Sequence, residues 1–259
     1  MEESNRLHFP YVLFDLGSTL IYFDGDWPAA MTAGLKESTR YLRSLGYALD
    51  EEAFPAAHHA LIEEYYRKGE DTLIQYTSEY VLRQAIAQAN AQALRGRPPA
   101  GHLRAALKAL YGVTQKYWQV EPDAAAALQL LRAKGCRLGI ISNAPDDDDV
   151  QALVNNAQLR VFFDFVLTSA KAKVRKPAPS IFKAALAYWG AKPEQVVMVG
   201  DTVTADVAGA NQMGIASVWI LRRADTPENH AGAKTHRPDA TIQALSELPS
   251  LLVNWPAIG

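Results

Sequence analysis

The stretch Tyr11-Val-Leu-Phe-Asp15-Leu-Gly-Ser-Thr19-Leu constrains this chain more than any other. Four apolar residues run straight into a carboxylate, and the small residues Gly17 and Ser18 follow it. An unbroken apolar run of this length predicts a strand covered on both faces, the setting of a parallel sheet between helices. Such a strand presents Asp15 at its carboxyl edge, where open α/β sheets bind their ligands.

Three later segments offer polar groups in similar positions. Leu138-Gly-Ile-Ile-Ser142-Asn143 ends an apolar run in a hydroxyl. Val196-Val-Met-Val-Gly200-Asp201 ends another in a carboxylate, and Asp206 lies five residues further on. Between these runs, Arg175-Lys176-Pro177 places a cation on backbone that the proline holds extended, just ahead of a helix starting near Pro179.

The second half of the chain alternates as a doubly wound sheet should. Helices are expected at 123–134, 148–156, 180–189 and 205–213, strands at 137–141, 163–167, 195–199 and 216–221, and a closing strand and helix at 240–242 and 244–252. The polar segment 222–238 reads as a long surface loop. Residues 27–118 show no strand pattern. They divide into helical segments at about 28–45, 51–68, 72–94 and 101–118, separated at Gly46, Gly69 and Gly96-Arg-Pro-Pro99. In the third segment, Ile74, Tyr80, Val81 and Ile86 are expected to pack inside this insertion. Residues 21–26, with aromatic and acidic side chains around Gly25, read as a short hairpin or turn leading into it.

Taken in order, Asp15, Ser142, Lys176 and the pair Asp201/Asp206 resemble the four motifs of the haloacid dehalogenase-like hydrolases, a family composed mostly of aspartate-nucleophile phosphatases. The resemblance spans nearly the whole chain. It implies an α/β fold, a doubly wound and mainly parallel Rossmann-like core at 1–21 and 119–259, with an inserted all-α cap at 22–118. A cap of this kind would exclude water and select the substrate.

The resemblance also implies roles. Asp15 is the nucleophile, Ser142 and Lys176 are its catalytic partners, and Thr19 and Asn143 support substrate binding, Asn143 through its backbone amide. Mg²⁺ is held by Asp15, the Gly17 carbonyl, Asp201 and Asp206. These roles make chemical sense. Attack of a carboxylate on a phosphate brings two anions together, which calls for a hard divalent cation and an ammonium. The substrate is then a small phosphorylated molecule. A Ser-His-Asp arrangement is disfavoured, because no histidine lies in any of the strand-end motifs.

Position 17 departs from the family pattern. The phosphatases of the family usually carry there a second aspartate that protonates the leaving group, and Gly17 has no side chain with which to do so. Three readings stay open. One is a phosphatase of substrates with good leaving groups, or one that borrows an acid such as Asp24, Asp26 or a cap residue. The second is a 2-haloacid dehalogenase-type hydrolase, since halide leaves without a proton, although the acidic fourth motif favours the metal-dependent branch. The third is a binding or regulatory protein that turns over slowly or not at all.

Bulk properties narrow the partners. A net charge of -2 in 259 residues gives no electrostatic case for nucleic acid or an anionic membrane. The polar amino terminus and the absence of an 18–20-residue apolar run lead to the expectation of a soluble, cytoplasmic protein. Oligomeric state is not legible. The lone Cys136 reads as a packed thiol, Asp146 to Asp149 as the cap and first turn of a helix, and His58 and His59 as surface residues.

Overall fold

The computed structural model describes residues 8–89 and 98–255. Its centre is a six-stranded parallel sheet of β1 (Tyr11–Phe14), β4 (Arg137–Ser142), β5 (Phe165–Thr168), β6 (Val196–Gly200), β7 (Ala216–Ile220) and β8 (Ala240–Ile242), in the order β5-β4-β1-β6-β7-β8. The first strand is central because its residues are apolar on both faces. Val12 and Phe14 join one core cluster with Leu128, Ile140, Val154 and Val199, while Leu13 joins another with Ile141, Phe182 and Met198. Side chains of a strand alternate between faces, so this split follows from the sequence itself.

Helices cover both faces. They are α5 (Ala124–Ala133), α6 (Asp147–Asn156), α8 (Pro179–Trp189), α9 (Ala208–Met213) and α11 (Leu248–Val253), with the single turn α7 (Ser169–Ala172) after β5. Cys136 is buried in the first cluster, as a packed thiol should be, and burial pushes its pKa up to about 11. Register brings the chemistry together. Phe14 pairs with Ile140 on one side and Val199 on the other, so Asp15, Ser142 and Asp201 leave the sheet at the same edge.

Between β2 (Ile21–Phe23) and β3 (Trp118–Val120) lie α1 (Trp27–Ser44), α2 (Ala53–Thr72), α3 (Ser78–Ala89) and α4 (Ala100–Thr114). Asp26 starts α1 by accepting the Ala29 amide at 3.0 Å, with Pro28 in the first turn. These helices enclose their own core, including Leu42, Phe54, Leu82, Leu103 and Leu107. Gly34 lets α1 approach α4 closely, since a β-carbon there would stand 2.7 Å from the Leu110 carbonyl oxygen. Several polar contacts tie the helical layer to the sheet. The Gln75 amide donates to Lys173 O at 3.0 Å, the Arg175 amide to Leu73 O at 2.9 Å, and Arg104 pairs with Asp146 at 2.8 Å.

Several sequence expectations are corrected. Residues 21–23 do not form a local hairpin; they pair antiparallel with β3, nearly a hundred positions away, so the two strands close the base of the insertion. The helix expected at 101–118 stops at Thr114, passes through one 3₁₀ turn and becomes β3. The segment expected at 72–94 starts as an extended link whose Ile74 forms a β-bridge with Val174, and its end lies outside the described residues. Val81 and Ile86 are buried as expected, but Ile74 and Tyr80 are exposed. The loop expected at 222–238 contains a short helix, α10 (Pro227–Ala233), that Thr226 caps. Residues 203–207 form a π turn ahead of α9. Among the described residues, no helix is long and apolar enough to cross a membrane.

Candidate active site

Asp15 follows β1 directly, and its amide donates to Val199 O at 2.9 Å, so the sheet ladder fixes its backbone. The carboxylate meets the Lys176 ammonium, Nζ to Oδ1, at 2.5 Å. That ammonium also lies 2.7 Å from Asp206 Oδ1 and donates to the Ile141 carbonyl at 2.8 Å. Lys176 is only 4% exposed. Burial disfavours its charge, yet Asp15 and Asp206 outweigh this and hold its pKa above the ordinary lysine range.

Asn143 sets the position of Lys176. Its Oδ1 accepts the Lys176 amide at 2.8 Å and its Nδ2 donates to the Lys176 carbonyl at 3.0 Å. The Asn143 side chain is therefore engaged with the lysine backbone, which leaves its own amide as the group available beside Ser142. Both residues line a cavity of about 900 Å³ with Asp15, Gly17, Lys176, Asp201 and Asp206.

Asp201 and Asp206 approach Asp15 from the neighbouring strand end. One oxygen from each of the three carboxylates lies within 4.8 Å of the others. Burial, then the charges of Asp15 and Asp206, raise the pKa of Asp201 well above the carboxylate range. Burial likewise pushes Asp206 up to about 6, opposed by Lys176 and by the Thr202 amide at 3.0 Å. Thr19 is fully buried, and its hydroxyl reaches Asp201 Oδ1 at 3.4 Å, so it faces the carboxylate cluster and does not line the cavity. Trp219 Nε1 donates to the Asp201 carbonyl at 3.1 Å.

Three carboxylates thus converge around a single ammonium, and the excess negative charge fits a divalent cation. The donors are hard oxygens, as Mg²⁺ requires. Asp15, Asp201, the Gly17 carbonyl and Asp206 are the groups that could hold it.

The structure brings Asp15, Gly17, Ser142, Asn143, Lys176, Asp201 and Asp206 to one cavity, leaves Thr19 buried behind its wall, and adds residues that the sequence reading missed. His58, expected at the surface, is 1% exposed and lines the cavity, with no hydrogen-bond partner for its Nδ1. Burial, then the charge of His59, lowers its pKa to about 4, so the ring is neutral. Its position four residues after Phe54 and three before Leu61, both buried, was the available signal. Asp149 also lines the cavity; burial pushes its carboxyl to about 7 while Gln115 Nε2 donates to it at 2.7 Å. The cap reading of the acidic run holds for Asp146, which accepts the Asp149 amide at 3.0 Å. Asp24 and Asp26 are exposed and do not line the cavity.

Ribulose-1,5-bisphosphate 5-phosphatase of Halopiger xanaduensis is 29% identical over 93% of this chain and 98% of its own length. Phosphoserine phosphatase of Thermus thermophilus is 32% identical over 67% of this chain and 68% of its own. The crystal structure of 2-haloacid dehalogenase from Pseudomonas syringae pv. Tomato DC3000 superposes with a TM-score of 0.67 at 24% identity, covering 96% of this chain and all of that one. That likeness extends to the fold. The haloacid dehalogenase-like hydrolase family model matches residues 9–214, and with the strand-end acids, the lysine and the parallel sheet all in place, this chain belongs to that family and is a hydrolase.

Proposed function

We propose that the protein is a Mg²⁺-dependent phosphatase of small phosphorylated molecules, with Asp15 as nucleophile and the helical insertion, residues 22–118, as a cap over the site. The observation that carries the reading is the Asp15–Lys176 contact at 2.5 Å inside a cluster of three carboxylates. A carboxylate backed by an ammonium is arranged to attack phosphorus, and the two sequence relatives named above are phosphatases of phosphorylated metabolites.

The residues divide the work as follows. Asp15 attacks phosphorus as the bond to the leaving oxygen breaks and the leaving group departs, and water then cleaves the aspartyl phosphate to give inorganic phosphate and free Asp15. Lys176 neutralises charge on Asp15 and on the phosphoryl oxygens. The Ser142 hydroxyl and the Asn143 amide donate to those oxygens, while the Asn143 side chain keeps Lys176 in place. Asp206 holds the lysine from its far side, and Thr19 steadies Asp201. Mg²⁺ bound by Asp15, the Gly17 carbonyl, Asp201 and Asp206 would supply further neutralisation of the phosphate. Gly17 donates no proton, so the favoured substrates have leaving groups that need little protonation, such as acyl or aryl phosphates.

The test is release of inorganic phosphate from p-nitrophenyl phosphate and from an acyl phosphate, with Mg²⁺ and with EDTA. Activity that needs Mg²⁺ and disappears in Asp15→Asn is expected. Chloride release from a 2-haloacid without metal, and no phosphate release, would favour the dehalogenase reading that Gly17 keeps open.

A further inference from the structure

Among the described residues, Lys176 is one of two buried cations that line the cavity; its neighbour Arg175 is the other, at 5% exposed. The two differ in their partners. Lys176 has two carboxylates, whereas among the described residues no carboxylate lies within ion-pair distance of Arg175. Its Nη1 donates to Gln75 Oε1 at 3.2 Å, and its guanidinium carbon stands 4.6 Å from the centre of the Tyr66 ring. These are a neutral acceptor and an aromatic face, neither of which cancels a full charge.

A charge taken out of water without a counter-ion is costly. The surroundings nonetheless hold this one firmly. The Arg175 amide donates to Leu73 O at 2.9 Å, and its stem packs against α2 at Gly69, where a β-carbon would meet Arg175 Cδ at 3.4 Å and, more tightly, the Ile74 carbonyl oxygen at 2.9 Å. Gln75 is fixed in turn, accepting from the Ser169 hydroxyl at 2.7 Å and donating to Tyr76 O at 2.7 Å. Glu63 and Glu70 also line the cavity from α2, but both are exposed, and neither is within ion-pair reach of Arg175. A guanidinium presents five donors in a rigid fork, and Gln75 and Tyr66 leave most of them without a partner here. What it lacks among the described residues is an oxyanion, and the cavity that it shares with the catalytic lysine is a route by which a ligand brings one.

We propose that Arg175 forms a second anion subsite, so that the preferred substrates are phosphomonoesters carrying a further carboxylate or phosphate. Resting on the assignment of Asp15 and Lys176 to the phosphoryl site, the inference adds that the non-reacting end of the substrate is also charged. Adjacent positions in the chain serve the two ends, Lys176 the phosphoryl group under attack and Arg175 the distal anion, which it grips in bidentate fashion.

Matched substrates test this. Phenyl phosphate and 4-carboxyphenyl phosphate, both with leaving groups that need little protonation, differ by a carboxylate, and phenyl phosphate and 1,4-phenylene bisphosphate by a phosphate. The wild type is expected to prefer the doubly anionic member of at least one pair in kcat/KM, and which pair responds identifies the anion. Arg175→Gln is expected to reduce that preference about 10- to 100-fold, mainly through KM, the range for hydrogen bonds to charged groups. Arg175→Lys, which keeps the charge and loses the fork, should retain part of it. A wild type with no preference, or an Arg175→Gln enzyme that loses both members of each pair equally, would overturn the subsite and leave Arg175 as a strut between insertion and sheet. Calorimetric binding of the same compounds to Asp15→Asn, with and without Arg175→Gln, separates the two ideas. Preferential binding of the doubly anionic ligand through Arg175, in a protein that hydrolyses no phosphate, would sink the phosphatase reading and keep the subsite.

Discussion

A β-carbon placed on Gly17 would stand 3.7 Å from Cη2 of Trp118, an ordinary van der Waals contact. The indole of the returning strand therefore lies over the position from which a family phosphatase extends its acid. It does not close that position off, and Gly17 has no left-handed backbone angle that would resist a side chain. Gly17→Asp should fold and should supply the missing proton. Kinetics on an alkyl and an aryl phosphate would check this, with a gain for the alkyl ester approaching the ~10²- to 10⁴-fold of general acid catalysis and a much smaller one for the aryl ester. Equal effects would show that another acid already supplies the proton, and Asp149, which lines the cavity outside the carboxylate cluster with its carboxyl pushed to about 7, is the next acid to replace.

Gly200 is required for a different reason. A β-carbon there would fall 2.3 Å from Cγ and from Oδ2 of Asp206, so Gly200→Ala must drive that carboxylate away from Lys176 and the Thr202 amide. The expected loss in kcat is about 10²-fold, as for a misplacement of roughly 1 Å in a reacting group. If displacement of Asp206 is the cause, Gly200→Ala should cost little more once Asp206→Ala is present. Additive losses in that double-mutant cycle would point to damage elsewhere in the strand.

The strand-end chemistry was legible because it depends on local pattern. A buried parallel strand is an apolar run, and the acid that ends it stands out, so Asp15, Ser142 and Asp201 could be found with their order along the chain. The limits fall where long-range packing decides. Residues 21–23 became a strand because residues 118–120 lie beside them, and nothing local signals that partner. His58 was read by composition, as one of two adjacent histidines, and Arg175 only as the residue ahead of Lys176. Their burial comes from helices folding over the sheet edge. Asp149 belonged to a run whose capping role was visible at Asp146, yet whether its own side chain faces water or the cavity depends on where Gln115 ends α4.

The carboxylate cluster makes the apo protein pay for its site through repulsion between acids. Asp201→Asn should remove one repelling charge and raise the melting temperature in EDTA. The same change should shrink the stabilisation by Mg²⁺, which for a ligand at a hundred times its Kd is about 2.7 kcal/mol. Calorimetry with and without Mg²⁺ gives both numbers. A variant that melts lower in EDTA and keeps the full Mg²⁺ shift would remove Asp201 from the cation site.

His58 should make stability fall in mild acid. Its folded pKa is about 4, against an ordinary value of 6.5, because burial disfavours the imidazolium. Between these values the unfolded chain binds a proton that the folded chain refuses. Stability from this group is therefore unaffected above pH 6.5 and declines as pH falls toward 4, by about 2 kcal/mol at pH 5. Replacing the ring removes the proton site from both states, and the other titrating groups are common to the two proteins. Urea unfolding of wild type and His58→Phe at pH 7 and pH 5 should show the difference between them shifting by about that amount in favour of the variant. A difference that stays constant between the two pH values would mean that the buried imidazole accepts its proton with the fold intact, and that its unpartnered Nδ1 lies open to water.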